Sequence, residues 1–274
     1  MPVTKNKQMK MKTPITYYGG KQNMLKHIRP LIPPHSLYCE PFVGGAAVFF
    51  DKQPVRVNVI NDLNGELINF YRTIVTNLEE LRMEVNRTLH CRSQHAHAWH
   101  IYNNPDYFTN VQRAWAVFIL SKMGFSGQLG SSFGFDRTEG KTALKLHCIK
   151  ENEVFCEELK KLLEKSTIEC DDAFKIIKRY DCTEAFHFID PPYVNSNMGH
   201  YSGMFNRQNL TELLELCAGL QGKFMLTMFP DDAVNQRAEN AGWIIHKLDR
   251  RVSACLKIEA RRRQEEWMVC NYTI

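Results

Sequence analysis

Short apolar runs rich in β-branched and aromatic residues alternate along this chain with longer segments whose apolar residues recur at threes and fours. A short apolar run between turn residues is typical of a buried strand, and spacing at threes and fours is typical of an amphipathic helix. The alternation of the two predicts an α/β fold. The first predicted strand begins at Leu37, and the others occupy residues 55–60, 167–170, 185–189, 224–228, 243–248 and 267–273.

Helical spacing is clearest in residues 66–89, where Leu67, Phe70, Tyr71 and Ile74 begin a continuous apolar face. The pattern predicts one long helix there. The other predicted helices lie within residues 111–123, 151–164, 210–217 and 231–240, and a helix of small and apolar residues follows Gly45.

The strand predicted at residues 185–189 ends in Asp190-Pro191-Pro192-Tyr193. Two consecutive prolines cannot continue a sheet ladder, so the chain must leave the sheet there. A residue before proline is held in an extended conformation. The Asp190 carboxylate is therefore predicted at the carboxyl edge of a strand, where open α/β sheets bind ligands.

A glycine turn follows the first predicted strand in Glu40-Pro41-Phe42-Val43-Gly44-Gly45. A strand, a glycine turn and a helix form the first βα unit of many nucleotide sites, where the glycines admit a ligand close to the backbone. A tight turn that only packs a helix against the sheet would use the same residues.

Acidic residues follow two further strands. Asp62 lies about twenty residues after the glycine turn, where Rossmann-like sites hold ribose hydroxyls. A helix N-cap is the alternative role for Asp62. Asp171 and Asp172 follow the strand predicted at residues 167–170.

Near the start of the chain, Tyr17-Tyr18-Gly19-Gly20-Lys21 places two aromatics and two glycines before a lysine. Such a turn allows close backbone approach to a ligand. It is not a Walker loop, because the first glycine and the Ser/Thr after the lysine are missing.

Composition limits the compartment and the partners. A net charge of +5 is compatible with a polyanionic partner, and nine cysteines without a CxxC pair indicate reduced thiols of an intracellular protein. No apolar run reaches the ~18 residues of a membrane span. The histidines of residues 90–100 fit no common zinc spacing, so we expect no metal site.

The segment after residue 123 is rich in glycine, serine and aromatic residues and lacks helical spacing, which predicts a shaped loop. Ser126, Gln128, Arg137 and Lys141 are candidates there for contacts to phosphates and base edges. A solvated loop is the alternative. The arginines of residues 250–263 are likewise either a phosphate contact or a solvated face.

The strand-end groups suit chemistry on an exocyclic amine of a base. The amine lone pair is delocalised into the ring, and a carboxylate and a carbonyl that accept both N–H bonds would localise it. Asp190 and the Pro191 carbonyl could be these acceptors, and Tyr193 could stack on the base, which is worth ~1–3 kcal/mol. No cysteine has an activating neighbour, which argues against a thiolate adduct.

In their order along the chain, these motifs resemble the Dam-like (D12 class) DNA N6-adenine methyltransferases, which use S-adenosylmethionine. The similarity runs nearly end to end and includes the aromatic-Gly-Gly-Lys opening, the glycine turn, Asn61-Asp62-Leu63-Asn64, the Phe-Ser-Gly loop and the Asp-Pro-Pro-Tyr corner. Each motif alone is modest, and the ordered set is specific. The family often has Trp at the position of Tyr17, and Gly-Ser-Gly at the position of Gly44-Gly45-Ala46.

The resemblance implies a Rossmann-like methyltransferase sheet with one antiparallel strand, formed by residues 1–70 and 155–274. A mostly helical target-recognition domain, residues 71–154, would interrupt it. Asp62 aligns with the ribose-binding acid, Asp171 more loosely with the acid at the cofactor adenine, and Asp190 with the catalytic acid beside the methyl donor. The expected cofactor site consists of Tyr17, Gly20, Lys21, Glu40, Phe42, Gly44, Asp62, Asp171 and Asp190, and the catalytic corner of Asp190, Pro191, Pro192 and Tyr193.

The implied reaction is extrusion of an adenine from double-stranded DNA and direct methyl transfer to N6. An N4-cytosine methyltransferase faces the same chemistry, although that group more often has serine at the position of Asp190. A catalytically silent DNA-binding module is a further alternative. We expect a monomer in the cytoplasm of a bacterial or phage-infected cell, without membrane contact; whether a cognate restriction endonuclease exists stays open.

Overall fold

The computed structural model describes residues 11, 13–17, 19–125, 129–135, 155–194, 205–251 and 263–274. These residues form a mostly parallel seven-stranded sheet with packed helices, which confirms the predicted α/β class. The strands are β1 (Leu37–Glu40), β2 (Val57–Asn61), β3 (Thr167–Glu169), β4 (Ala185–Ile189), β5 (Lys223–Met228), β6 (Ile244–Arg251) and β7 (Arg263–Cys270).

The strand order is β3-β2-β1-β4-β5-β7-β6. β1 pairs in parallel with both β2 and β4, and the chain proceeds outward from these two central strands in opposite directions. That change of direction opens a crevice at the carboxyl ends of β1 and β4. β7 is antiparallel to both β5 and β6 and lies between them, so it is the one antiparallel strand that the resemblance implies.

Ten α-helices lie within the described residues. They are α1 (Leu25–Ile28), α2 (Ala47–Asp51), α3 (Gly65–Thr76), α4 (Leu78–Arg87), α5 (Arg92–Asn103), α6 (Asn110–Met123), α7 (Glu157–Glu164), α8 (Ala173–Arg179), α9 (Arg207–Ala218) and α10 (Asp232–Ala241). Side-chain caps fix several of their starts: Thr109 and Gln112 form a capping box at α6, and Asn206 and Asn209 form one at α9.

The single helix predicted over residues 66–89 is wrong in one respect, because Asn77 divides it into α3 and α4. Asn77 has φ −138° and ψ 41°, outside the helical region. The break reorients α4, which packs against α6, while Ile74 and Leu81 on either side of it stay fully buried. Apolar spacing continues across the break, so periodicity alone could not reveal it.

One hydrophobic cluster joins the sheet side of the molecule to α3–α6. Phe70 packs edge-on against Phe155, which also packs against Phe118, and the same cluster contains Phe49 and Phe186. The domain boundary predicted between residues 70 and 71 falls inside α3, and the division into two domains stays a prediction. None of the helices named above combines the length and the apolarity needed to cross a membrane.

Candidate active site

A cavity of about 370 Å³ lies at the carboxyl ends of β1, β2 and β4. Its volume is within the ~300–1,000 Å³ of small-molecule sites. It brings together nearly all the cofactor and catalytic residues predicted from the sequence. Those in its lining are Tyr17, Gly20, Lys21, Glu40, Phe42, Gly44, Asp62, Asp190, Pro191, Pro192 and Tyr193.

The glycine turn lies directly against the Tyr17 ring. Gly44 has φ +46°, and a Cβ on it would lie 3.1 Å from a Tyr17 ring carbon. A Cβ on Gly45 would lie 3.0 Å from the Tyr17 Cβ. The Tyr71 hydroxyl donates to the Gly44 carbonyl at 2.7 Å and holds the turn from below. Because Gly44 and Gly45 have no side chains, the Tyr17 ring can pack directly against the turn, and it lines the cavity there.

Asp62 ties the end of β2 to the glycine turn. One carboxylate oxygen accepts the Gly44 backbone N–H at 3.0 Å, and the other accepts the Asn64 backbone N–H at 3.0 Å. Burial raises the pKa of Asp62, and the backbone donors of Asn64 and Gly44 oppose that shift. The alternative N-cap role belongs to Asn64, whose side chain accepts from the first backbone N–H groups of α3.

Glu40, the last residue of β1, is buried and contributes to the lining of the cavity. Its carboxylate accepts the Tyr38 hydroxyl at 2.6 Å and the Phe49 backbone N–H at 3.1 Å. Burial raises the pKa of Glu40 to about 8, although the Tyr38 hydrogen bond opposes the shift. The neutral form of Glu40 is therefore favoured near pH 7, and the wall beside Asp190 carries less negative charge than its sequence suggests.

Asp190 lies at the end of β4 with its side chain 19% exposed. Its carboxylate accepts the Lys21 ammonium at 2.7 Å and the Thr227 hydroxyl at 2.6 Å, and the Tyr193 hydroxyl lies at 3.3 Å. Burial raises the pKa of Asp190, whereas Lys21 and Thr227 lower it and Glu266 raises it further. Asp190 is thus held in one orientation at the cavity wall.

Tyr193 is fixed at both ends of its side chain. The hydroxyl donates to Glu266 at 2.6 Å, and the ring packs edge-on against Phe229 with centroids 4.4 Å apart. The Lys21 ammonium lies 5.1 Å from the ring centroid. Only 7% of Tyr193 is exposed, and burial raises its pKa well above the usual value, so the phenol stays neutral.

Asp171 is the predicted cofactor residue that does not line the cavity. Its carboxylate instead pairs with Lys175 and Arg179, each at 3.3 Å. The next acid, Asp172, caps α8 and lines the cavity together with Phe174. The chain turns at this strand end, so Asp172 and not Asp171 lines the cavity, and the predicted cofactor role of Asp171 stays a prediction.

Several residues of the site lie in no motif of the sequence. Tyr102 on α5 lines the cavity, and its hydroxyl accepts the Asn64 side-chain amide at 3.0 Å. Thr227 on β5 and Glu266 on β7 belong to the Asp190 cluster. Tyr102 lies within the predicted recognition domain, where no cofactor residue is expected. Glu266 belongs to a run of charged residues that is typical of a solvent-exposed segment.

The four predicted DNA contacts, Ser126, Gln128, Arg137 and Lys141, lie outside the described residues. The structure describes residues 125 and 129–135 of the predicted loop. Phe125 and Phe135 are each 59% exposed there. This aromatic exposure beside the loop is compatible with the predicted contacts, which stay predictions.

The fold and the site together define a Rossmann-like α/β enzyme. Its sheet is open and mostly parallel, a glycine turn follows β1, and carboxylates follow β2 and β4. The model of one family, the D12 class N6 adenine-specific DNA methyltransferases, matches residues 17–246, and the chain belongs to this family. The predicted adenine-specific methyltransferase activity is thereby confirmed over the cytosine alternative. A methyl donor and DNA are the substrates that the family implies.

Named relatives agree with this assignment. The chain is 28% identical over 271 residues to the type II methyltransferase M1.LlaDCHI of Lactococcus lactis subsp. cremoris, with 93% of each chain covered. It is 25% identical over 255 residues to the DNA N-6-adenine-methyltransferase of Escherichia phage P1, and the aligned part is 89% of this chain and 33% of the phage protein. It is 24% identical over 199 residues to a DNA adenine methylase of Vibrio cholerae serotype O1, with 69% of each covered.

Proposed function

We propose that the protein transfers a methyl group from S-adenosylmethionine to N6 of an adenine extruded from duplex DNA, with Asp190 and Pro191 holding the amine. The observation that carries the proposal is the fixed Asp190 carboxylate at the wall of a cavity whose other end contains Asp62 and the glycine turn. The two acids divide the cavity into a cofactor end and a reaction end.

The residues present fit S-adenosylmethionine. A carboxylate offers about four acceptor sites, so Asp62 keeps acceptor capacity beyond its bonds to the backbone N–H groups of Gly44, Leu63 and Asn64, which suits ribose hydroxyls. Leu63, Phe174 and Tyr102 offer apolar and aromatic surface for the adenine ring. When bound, this cofactor supplies a methyl group on a positively charged sulfur, and the Asp190 carboxylate carries the opposite charge.

Asp190 and the Pro191 carbonyl would accept the two N–H bonds of the target amine. This localises the nitrogen lone pair toward the incoming methyl group. Asp190 is an acceptor and not a base that deprotonates the neutral amine, since a carboxylate is far too weak for that. After transfer the nitrogen carries a positive charge and becomes acidic, and Asp190 is then placed to take the proton.

Tyr193 would hold the plane of the extruded base. Its ring lines the cavity, and the contacts to Phe229 and Glu266 fix the orientation of the ring before a base enters. Stacking of a base on such a ring is worth ~1–3 kcal/mol and offsets part of the few kcal/mol needed for extrusion.

DNA recognition is assigned to residues 71–154. α5 of this segment contributes Tyr102 to the cofactor end of the cavity, so the segment is in direct contact with the methyl-donor site. The type II name of the Lactococcus relative supports pairing with a restriction endonuclease. We assign the protein to the cytoplasm as a monomer.

Asp190→Asn tests the proposal, because it removes the charge and keeps the size. Purified protein would be incubated with tritium-labelled S-adenosylmethionine and unmodified duplex DNA of mixed sequence, and the DNA digested to nucleosides. We expect N6-methyldeoxyadenosine from the wild type and a loss of rate of about 10²–10³-fold in the variant. Asp232→Asn, at an exposed position outside residues 71–154, is the matched control.

Cofactor binding by calorimetry should persist in the Asp190→Asn variant. Full activity of this variant would refute the role of Asp190. Label in N4-methyldeoxycytidine, or no label in DNA with the wild type, would refute the proposed reaction.

A further inference from the structure

β7 carries a second acid into the reaction end of the site. Glu266 lies beside Trp267, which pairs with Met228 of β5, so β7 reaches the region below Asp190. The Glu266 side chain is fully buried. Its carboxylate accepts the Tyr193 hydroxyl at 2.6 Å and lies 3.5 Å from the Lys21 ammonium.

The cluster therefore contains two carboxylates around one ammonium. Lys21 lies 2.7 Å from Asp190 and 3.5 Å from Glu266, and it is itself almost fully buried. Burying a charge costs several kcal/mol unless it is paired and hydrogen-bonded. A fully buried glutamate that served only the packing of β7 would be replaced at lower cost by an apolar residue, which points to a role in the site.

We propose that Glu266 is a positioning residue for methyl transfer, which shares Lys21 with Asp190 and holds the Tyr193 hydroxyl. The inference rests on the proposed function. With Lys21 shared, its charge only partly neutralises Asp190, and the Asp190 oxygens stay strong acceptors for the amine. With its hydroxyl fixed, the Tyr193 ring keeps the orientation that stacking requires.

The proposal has a signature in the pH dependence of the rate. Asp190 must be ionised to accept the amine N–H, so activity is lost as the pH falls through its pKa. The charged or titratable groups around Asp190 are Lys21, Tyr193, Glu266 and Glu40. Glu266 raises the pKa of Asp190 by repulsion and Lys21 lowers it, so the two neighbours act in opposite directions.

The test compares Glu266→Gln with Lys21→Met. In Glu266→Gln we expect kcat to fall about tenfold, the usual difference between a charged and a neutral hydrogen-bond partner, with KM for S-adenosylmethionine unchanged. The fall of kcat at acidic pH, here called the acid limb, should move to lower pH in Glu266→Gln, because a group that raises the pKa of Asp190 is lost. In Lys21→Met the acid limb should move to higher pH, because a group that lowers this pKa is lost. Glu265→Gln is the matched control, because Glu265 is the neighbouring acid of β7 and is exposed.

Glu266→Asp is the second variant, since it keeps the charge and withdraws the carboxylate from Tyr193. We expect Glu266→Asp to have a lower kcat, with an acid limb near that of the wild type. If circular dichroism shows that Glu266→Gln does not fold, the result for Glu266→Asp decides the test. A kcat and an acid limb of Glu266→Gln equal to those of Glu265→Gln would overturn the proposal, as would wild-type kcat in Glu266→Asp. An inactive wild type would refute the proposed function instead.

Discussion

His187, in the middle of β4, should make the stability of the fold depend on pH, and His187→Phe should remove that dependence. The side chain is fully buried, and its Nε2 lies 3.6 Å from an Asp181 carboxylate oxygen. Burial lowers the pKa of His187 from 6.5 to about 4, although Asp181 opposes the shift. The folded protein therefore holds this imidazole neutral over most of the acidic range.

The sign and size of the effect follow from proton linkage. The unfolded chain binds a proton at His187 below about pH 6.5, whereas the folded protein binds it only near pH 4. Stability is fully present above pH 6.5 and falls as the pH decreases toward 4. At 1.36 kcal/mol per pKa unit the total is about 3 kcal/mol, of which about 2 kcal/mol is lost between pH 7 and pH 5.

Urea unfolding at pH 7 and pH 5 measures this difference. The wild type should lose about 2 kcal/mol more than His187→Phe between the two pH values. Glu40 and the other buried acids titrate in both proteins, so their contributions cancel in the comparison. His100→Phe, at an exposed position, should behave like the wild type. Equal losses in the wild type and His187→Phe would refute the reasoning.

Two further substitutions test the packing of the sheet and the setting of Asp190. Gly222→Ala would place a Cβ 2.7 and 2.9 Å from two backbone carbonyl oxygens. We expect urea titrations to show a free energy of unfolding lower by about 1–3 kcal/mol. Gly65→Ala is the control and should not lower the free energy of unfolding, because its Cβ would have nothing within 4 Å. Thr227→Val removes a hydroxyl that lowers the pKa of Asp190, so the acid limb of kcat should move to higher pH; an unmoved limb would contradict that role.

The central strands of the sheet could be predicted from the sequence because they are short apolar runs between turn residues. β7 begins at Arg263, four residues before the predicted start, because its first half is polar. β4 has the predicted bounds, residues 185–189. The position of β7 between β5 and β6 could not be derived from periodicity, since local spacing carries no information on which strands pair. The break at Asn77 was likewise hidden by continuous apolar spacing.

The acceptor at the end of β4 was predictable for a local reason, because prolines fix the backbone after Asp190. The partners of Asp190 were not, since Lys21, Thr227 and Glu266 come from distant parts of the chain. The role of the glycine turn was also only half predicted. The sequence indicates close approach at Gly44, and the structure identifies the approaching group as Tyr17.

The position of β7 has a consequence for synthesis of the protein. A nascent chain that ends before residue 263 already contains Lys21 and Asp190, but it has neither Glu266 nor the strand that pairs with β5. Until β7 inserts, β5 presents an open strand edge, which is a template for aggregation. β7, which follows β6 in the chain, thus joins β6 to the rest of the sheet and adds Glu266 to the charge cluster in the same step.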